Sequence, residues 1–200
     1  MRSSSLDQIF ASVERSKTPI QRTKGPVVHR EITLDQEKDV RLFCFRQKVR
    51  MILLVGPPIQ ARQDFIMNLK RQVKDMRYFA ADDFFMKNGR YVFDAKCLLR
   101  AHQKCQGNVR GALMDSTCPI VVVDNTSVKK EHIKVYDDFK YPFVVIVFQP
   151  STAADAIALG IGNTKNIPQH VFENCFNEMN GLLLNDKEFP MLRGVFHMRV

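Results

Sequence analysis

No two of the five cysteines (Cys44, Cys97, Cys105, Cys118 and Cys175) stand in a C-x-x-C arrangement, and their number is odd. This argues against both a disulfide framework and a zinc ribbon, so a reducing compartment is expected. No apolar run approaches the ~20 residues that a membrane span needs. Met1-Arg2-Ser3-Ser4-Ser5 leads into polar sequence rather than a signal-peptide core. The expected location is therefore cytoplasmic or nuclear, away from the membrane. Acidic residues are scarce too: 21 Asp and Glu face 30 Lys and Arg, a formal charge of +9. That balance favours an anionic partner, with nucleic acid first and an acidic protein surface or lipid headgroups behind it. The plainer account is a soluble basic protein whose cations are only solvated.

What is present is enough for one packed domain: 200 residues, 45% of them apolar. Residues 1–45 read as a mostly flexible basic extension rich in Ser, Thr, Lys, Arg and Pro. Within it, Leu6, Ile9, Phe10 and Val13 recur at helical spacing, and Ser5 with Gln8 matches a capping box. A short helix over 6–15 that docks a protein partner, or packs back on its own domain, is expected. Strands over Val27–Thr33 and Val40–Phe45 are expected to form a hairpin. Residues 46–185 then alternate apolar strands (51–55, 78–81, 119–123, 143–148) with helices (60–76, 95–113, 129–139, 152–159, and one opened by Pro168). This alternation defines an α/β three-layer sandwich around a parallel sheet. Residues 186–200 read as a tail or an edge strand.

Several groups along this pattern carry chemistry. Met51-Ile52-Leu53-Leu54-Val55-Gly56-Pro57-Pro58 has the strand and turn of a phosphate-binding loop, and a helix follows. A working loop, G-x-x-x-x-G-K-[ST], uses glycine, lysine and a hydroxyl where Ala61, Arg62 and Gln63 stand. Asp82 and Asp83 follow one strand and Asp124 ends another, where a phosphotransferase would hold a general base or a metal-water ligand. Capping of the following turn is the plainer role for Asp83. Cys97, His102 and Cys105 spread too widely round one helix to gather a metal, so they read as packing residues, with Leu98, Ala101, Cys105, Val109 and Ala112 inward. Lys70, Lys74, Arg77, Arg90 and Arg100 are the candidate nucleic-acid contacts.

Taken together, Leu53–Pro58, Asp82-Asp83-Phe84-Phe85, Gly89–Asp94, Ala101-His102-Gln103 with Cys105-Gln106, and Ile120–Thr126 resemble one family. From Met51 to about Gly181 the chain is similar to the polynucleotide-kinase-like P-loop proteins, in particular the Nedd-four-binding-protein-two-like group. Against that family's G-x-P-G-S-G-K-[ST]-T, Gly56 and Pro58 match. Ile59 and Ala61 replace glycines, Arg62 the lysine, and Gln63 the Mg²⁺-binding hydroxyl. Side chains at Ile59 and Ala61 obstruct the close backbone approach that phosphates require. Asp64 is expected to cap the free N–H groups at the helix start and would repel a phosphate.

The resemblance also implies a lid over 158–166 whose arginines offset phosphoryl charge, yet Ile161 and Gly162 stand there, with Lys165 nearby. By the same resemblance Asp82 matches the base and Asp124 the strand-end carboxylate. The expectation is a catalytically inactive kinase-like protein acting as an interaction or scaffold module in RNA-related complexes, with no cofactor and no metal. Two alternatives remain open: a nucleic-acid-binding module, or a divergent ATP-dependent polynucleotide kinase or ATPase that uses ATP and Mg²⁺.

Overall fold

A computed structural model describes residues 26–33, 36–161, 163 and 165–200. In chain order the elements are β1 (Val28–Ile32), α1 (Glu37–Arg46), β2 (Met51–Val55), α2 (Gln60–Gln72) and β3 (Arg77–Phe79). A 3₁₀ turn (Ala81–Phe85), the short β4 (Met86–Lys87) and β5 (Arg90–Tyr91), and a second 3₁₀ turn (Ala95–Cys97) follow. The remainder is α3 (Leu98–Met114), β6 (Val121–Asp124), α4 (Lys130–Asp137), β7 (Phe143–Gln149), α5 (Ala153–Gly160), α6 (Gln169–Asn180) and β8 (Leu192–Arg199).

Six strands form one sheet in the order β1-β8-β7-β2-β6-β3, and every pairing in it is parallel. Parallel strands need helical crossovers, and these cover both faces. The period-two alternation of β2 therefore feeds two cores. Met51, Leu53 and Val55 pack with Ala101, Cys105 and Val109 of α3 and Ile133 of α4. Ile52 and Leu54 pack with Val40 and Cys44 of α1 and Phe65, Ile66 and Leu69 of α2. Helix α6 adds Phe172 to the second core, and Cys175 and Met179 to the first. The expected three-layer α/β architecture is present.

Four local expectations differ. Residues 37–46 are a helix, not a strand: Val40 and Cys44 are buried one helical turn apart, and Glu37-Lys38-Asp39 lies in the first turn rather than in a hairpin loop. β1 accordingly pairs with β8, so residues 28–46, expected to belong to an extension, are part of the sheet and its cover. β8 is neither a tail nor an edge strand but lies between β1 and β7, buried along most of its length. Leu98, the first residue of α3, is 41% exposed instead of inward. Asn88 and Gly89, at φ 49° and 76°, join β4 to β5 in a two-residue hairpin of the type that needs left-handed residues. The expected helix over 6–15 and its Leu6, Ile9, Phe10 and Val13 lie outside the described residues.

Candidate functional site

The carboxyl ends of β2, β3 and β6 bring Gly56, the Asp82-Asp83 turn and Asp124 to one edge of the sheet. Gly56 has φ 130°, and a Cβ there would sit 2.6 Å from the carbonyl oxygen of Phe148 on β7. Only glycine fits this approach. Its N–H donates to Thr126 O (3.0 Å), Pro57 and Pro58 have no N–H, and the Ile59 N–H turns back to Pro57 O (2.9 Å). Much of the loop's donor capacity is thus spent within the fold.

The centre of the loop is occupied by Arg62. Its side chain is 3% exposed, and every nitrogen of its guanidinium has an acceptor. Nη1 donates to Gly56 O (2.6 Å), Nη2 donates to Asn125 O (2.7 Å), and Nε donates to Asp124 Oδ1 (2.8 Å), which Nη2 also reaches. A phosphate cradle aims N–H groups inward. Here carbonyl oxygens from Gly56 and, at 3.4 Å, Pro57 are aimed at a cation carried by the protein itself.

Asp124 is saturated by the same arrangement. While Oδ1 holds Arg62, Oδ2 accepts from Gln63 Nε2 (3.0 Å) and Tyr78 Oη (2.9 Å). Burial, and next the Asp124 charge, push the Tyr78 phenol well above its ordinary value, so it remains a donor. A carboxylate offers about four acceptor sites, and four donors fill them. Just past β6, Asn125 Oδ1 accepts from the Ala81 N–H (2.8 Å), and its Nδ2 donates to Tyr136 Oη (3.0 Å). These bonds tie the strand end to the Ala81–Phe85 turn and to α4.

Asp82 is paired as well. Lys165, beyond α5, forms a salt bridge to Oδ2 and sits 5.4 Å from the ring centre of Tyr91, whose hydroxyl donates to Oδ1 (3.3 Å). Asp83 accepts from the Ala80 N–H (3.3 Å), so it caps its own turn; desolvation, the largest influence, raises its carboxyl above the ordinary range. His102 on α3 is shifted down, chiefly by burial and then by His132, with Asp82 opposing. Asp64, expected to cap α2, instead accepts from Gln60 Nε2 (3.0 Å) within the helix.

The chain is 29% identical to human NEDD4-binding protein 2 over 104 residues. That match covers 51% of this chain but 6% of the relative. A chain in the structure of the Pnkp1/Rnl/Hen1 RNA repair complex superposes with a TM-score of 0.52 at 17% identity, covering 66% of this chain and 44% of that one. The likeness to that structure is one of fold. No family model matches the chain.

The remaining candidates do not converge. Lys70 lies on α2, with Lys74 just beyond it, against one sheet face, whereas Arg100 lies on α3 against the other. Arg77 pairs with Asp115, and Arg90 is on the β4–β5 hairpin. Ile161 is 74% exposed, and Gly162 lies outside the described residues. Among the described residues no three His, Cys, Asp or Glu side chains gather as a metal site, and no helix is long and apolar enough to cross a membrane. An open groove of about 1080 Å³ lies between the start of α4 and α6. Cys175 lines it with a thiol pushed up to about 11 by burial. Sequence reasoning missed Tyr78 as a partner of Asp124, and missed Lys165 as the cation on Asp82. Neither pair has a local signal, since 46 and 83 residues separate the partners.

Proposed function

We propose that this chain is a kinase-like P-loop domain that has lost phosphoryl transfer and serves as a protein-interaction module in RNA-related assemblies. One observation carries the reading: the Arg62 guanidinium fills the loop and is bonded to Asp124, Gly56 and Asn125. To admit a triphosphate, the loop would have to expel a buried cation, turn its carbonyls outward and leave Asp124 without its partner, a cost of about 3–5 kcal/mol for the ion pair alone. Asp82, the matched base, is engaged by Lys165 and Tyr91. The names of the similar proteins, a NEDD4-binding protein and an RNA repair complex, support partners of protein and RNA-related kinds.

The reading implies no bound ATP or Mg²⁺. Calorimetry with Mg-ATP is expected to register no binding. Micromolar affinity, or turnover abolished by Asp82→Ala, would overturn it in favour of a divergent kinase. Nucleic-acid binding draws less support, because its five candidate cations are divided between opposite layers and Arg77 is already paired.

A further inference from the structure

The β4–β5 hairpin and the start of α3 carry a surface that the loop chemistry does not use. Five apolar side chains stand exposed there: Met86, Val92, Phe93 (54%), Leu98 and Leu99 (71%). They are not scattered singly. Phe93 packs on Phe85 (5.1 Å between ring centres) and stacks with Tyr91 (6.5 Å), and Met86 pairs across the hairpin with Tyr91; Leu98 and Leu99 follow at the start of α3, one short turn along the chain. Exposed apolar residues gathered on one hairpin and the helix start that follows it mark a place of contact.

The charge around it is one-sided. Residues 82–104 hold five cations, Lys87, Arg90, Lys96, Arg100 and Lys104, against three acids, of which Asp82 is paired with Lys165 and Asp83 caps its own turn, leaving Asp94. Asp94 is occupied by the Lys96 N–H (2.9 Å) and the Cys97 thiol. No ion pair to these five cations occurs among the described residues, although Arg100 and Lys104 lie over the Phe84 ring at 5.9 and 5.7 Å. Lys96 and Arg100 flank the start of α3, whose first turn has no acid, and cations there oppose the helix dipole. The helix dipole therefore does not account for their placement.

We infer that this surface docks an acidic protein segment bearing apolar side chains, which lie on Val92, Phe93 and Leu99 while its carboxylates meet the surrounding cations. Charge complementarity selects this occupant. Single-stranded nucleic acid would use open aromatic faces, but four of the five exposed apolar residues are not aromatic, and the Phe84 ring is covered by Arg100 and Lys104. An anionic membrane needs only diffuse charge, whereas Arg100 and Lys104 are held at fixed positions. Residues 1–25 carry five cations and two acids, so the chain's own N-terminal segment has the wrong sign.

The inference deepens the interaction reading and rests on it only in part, since its test reads peptide binding whereas that reading is tested by nucleotide binding. The full chain is panned against a displayed library of short random peptides, and enriched sequences are synthesised for anisotropy titration. The expected result is enrichment of net-acidic peptides containing Leu or Phe, with affinity falling as salt rises. Leu99→Ser and Arg90→Glu, both at exposed positions, should each weaken binding by about tenfold or more with unchanged circular dichroism. No enrichment over the Leu99→Ser protein, or enriched peptides indifferent to both substitutions, overturns the proposal. Tighter binding of oligouridine or of phosphatidylserine vesicles, lost in the same variants, overturns it by assigning the surface to RNA or membrane.

Discussion

Arg62, in the first turn of α2, and Asp124, at the end of β6, close on each other, with Nε donating to Oδ1 at 2.8 Å and side chains only 3% and 8% exposed. Each is the other's main compensation for leaving water. Gly56 O and Asn125 O complete the guanidinium's bonding, and Gln63 and Tyr78 complete the carboxylate's. The site is therefore a closed polar network, in which removing one member orphans the rest.

Truncation on one side should be more damaging than replacing both. Arg62→Ala is expected to cost about 3–5 kcal/mol in urea denaturation, because Asp124 stays buried without its cation. The pair Arg62→Met with Asp124→Leu should recover only part of that loss, because the Gly56 and Asn125 carbonyls and the Tyr78 hydroxyl are still left without partners. Additive effects of the Arg62→Met and Asp124→Leu single changes would show that the two side chains do not act as a unit.

Three helical glycines should respond in opposite directions. A Cβ at Gly160 would come within 2.5–2.7 Å of ring atoms of Phe172, which is itself buried, so Gly160→Ala is expected to destabilise by about 1–3 kcal/mol. At Gly107 and Gly111 on α3 the added Cβ meets nothing within 4 Å. There alanine should raise stability by about 0.5–1 kcal/mol per site through helix propensity alone. Midpoints of thermal unfolding for the three variants check both signs.

Stability should decline in mild acid. His102 is shifted below the ordinary 6.5 by burial and then by His132, and His197 by burial and then by His29, with Asp82 and Glu31 opposing in turn. A depressed imidazole means that the folded chain binds fewer protons than the unfolded chain. Its contribution is intact above the unfolded value of 6.5 and is lost as the pH falls below it. Urea midpoints should therefore drop between about pH 7 and pH 5. Replacing His102 and His197 by Gln should flatten the slope over that window; an unchanged slope would remove these two residues as its source.

The sequence determined the alternation of apolar strands and helices, because periods of two and 3.6 are written locally into β2, α2, β6 and β7. It also located the glycine at position 56 and the acids at 82, 83 and 124 at strand ends, since the chain must turn where a strand stops. It misread Val40–Phe45 because a short apolar run suits strand or helix until a neighbour selects one, and Val40 with Cys44 is selected by the sheet face that α1 covers. What β8 does was decided only by tertiary structure, since a strand becomes internal when β1 and β7 arrive on either side of it. The same holds at the loop. The sequence supplied an arginine where a lysine was expected, but its guanidinium turns inward because Asp124, 62 residues away, and the carbonyls of Gly56 and Asn125 converge on one buried point. A buried charge is stable only where such partners meet it, and their meeting is a property of the fold.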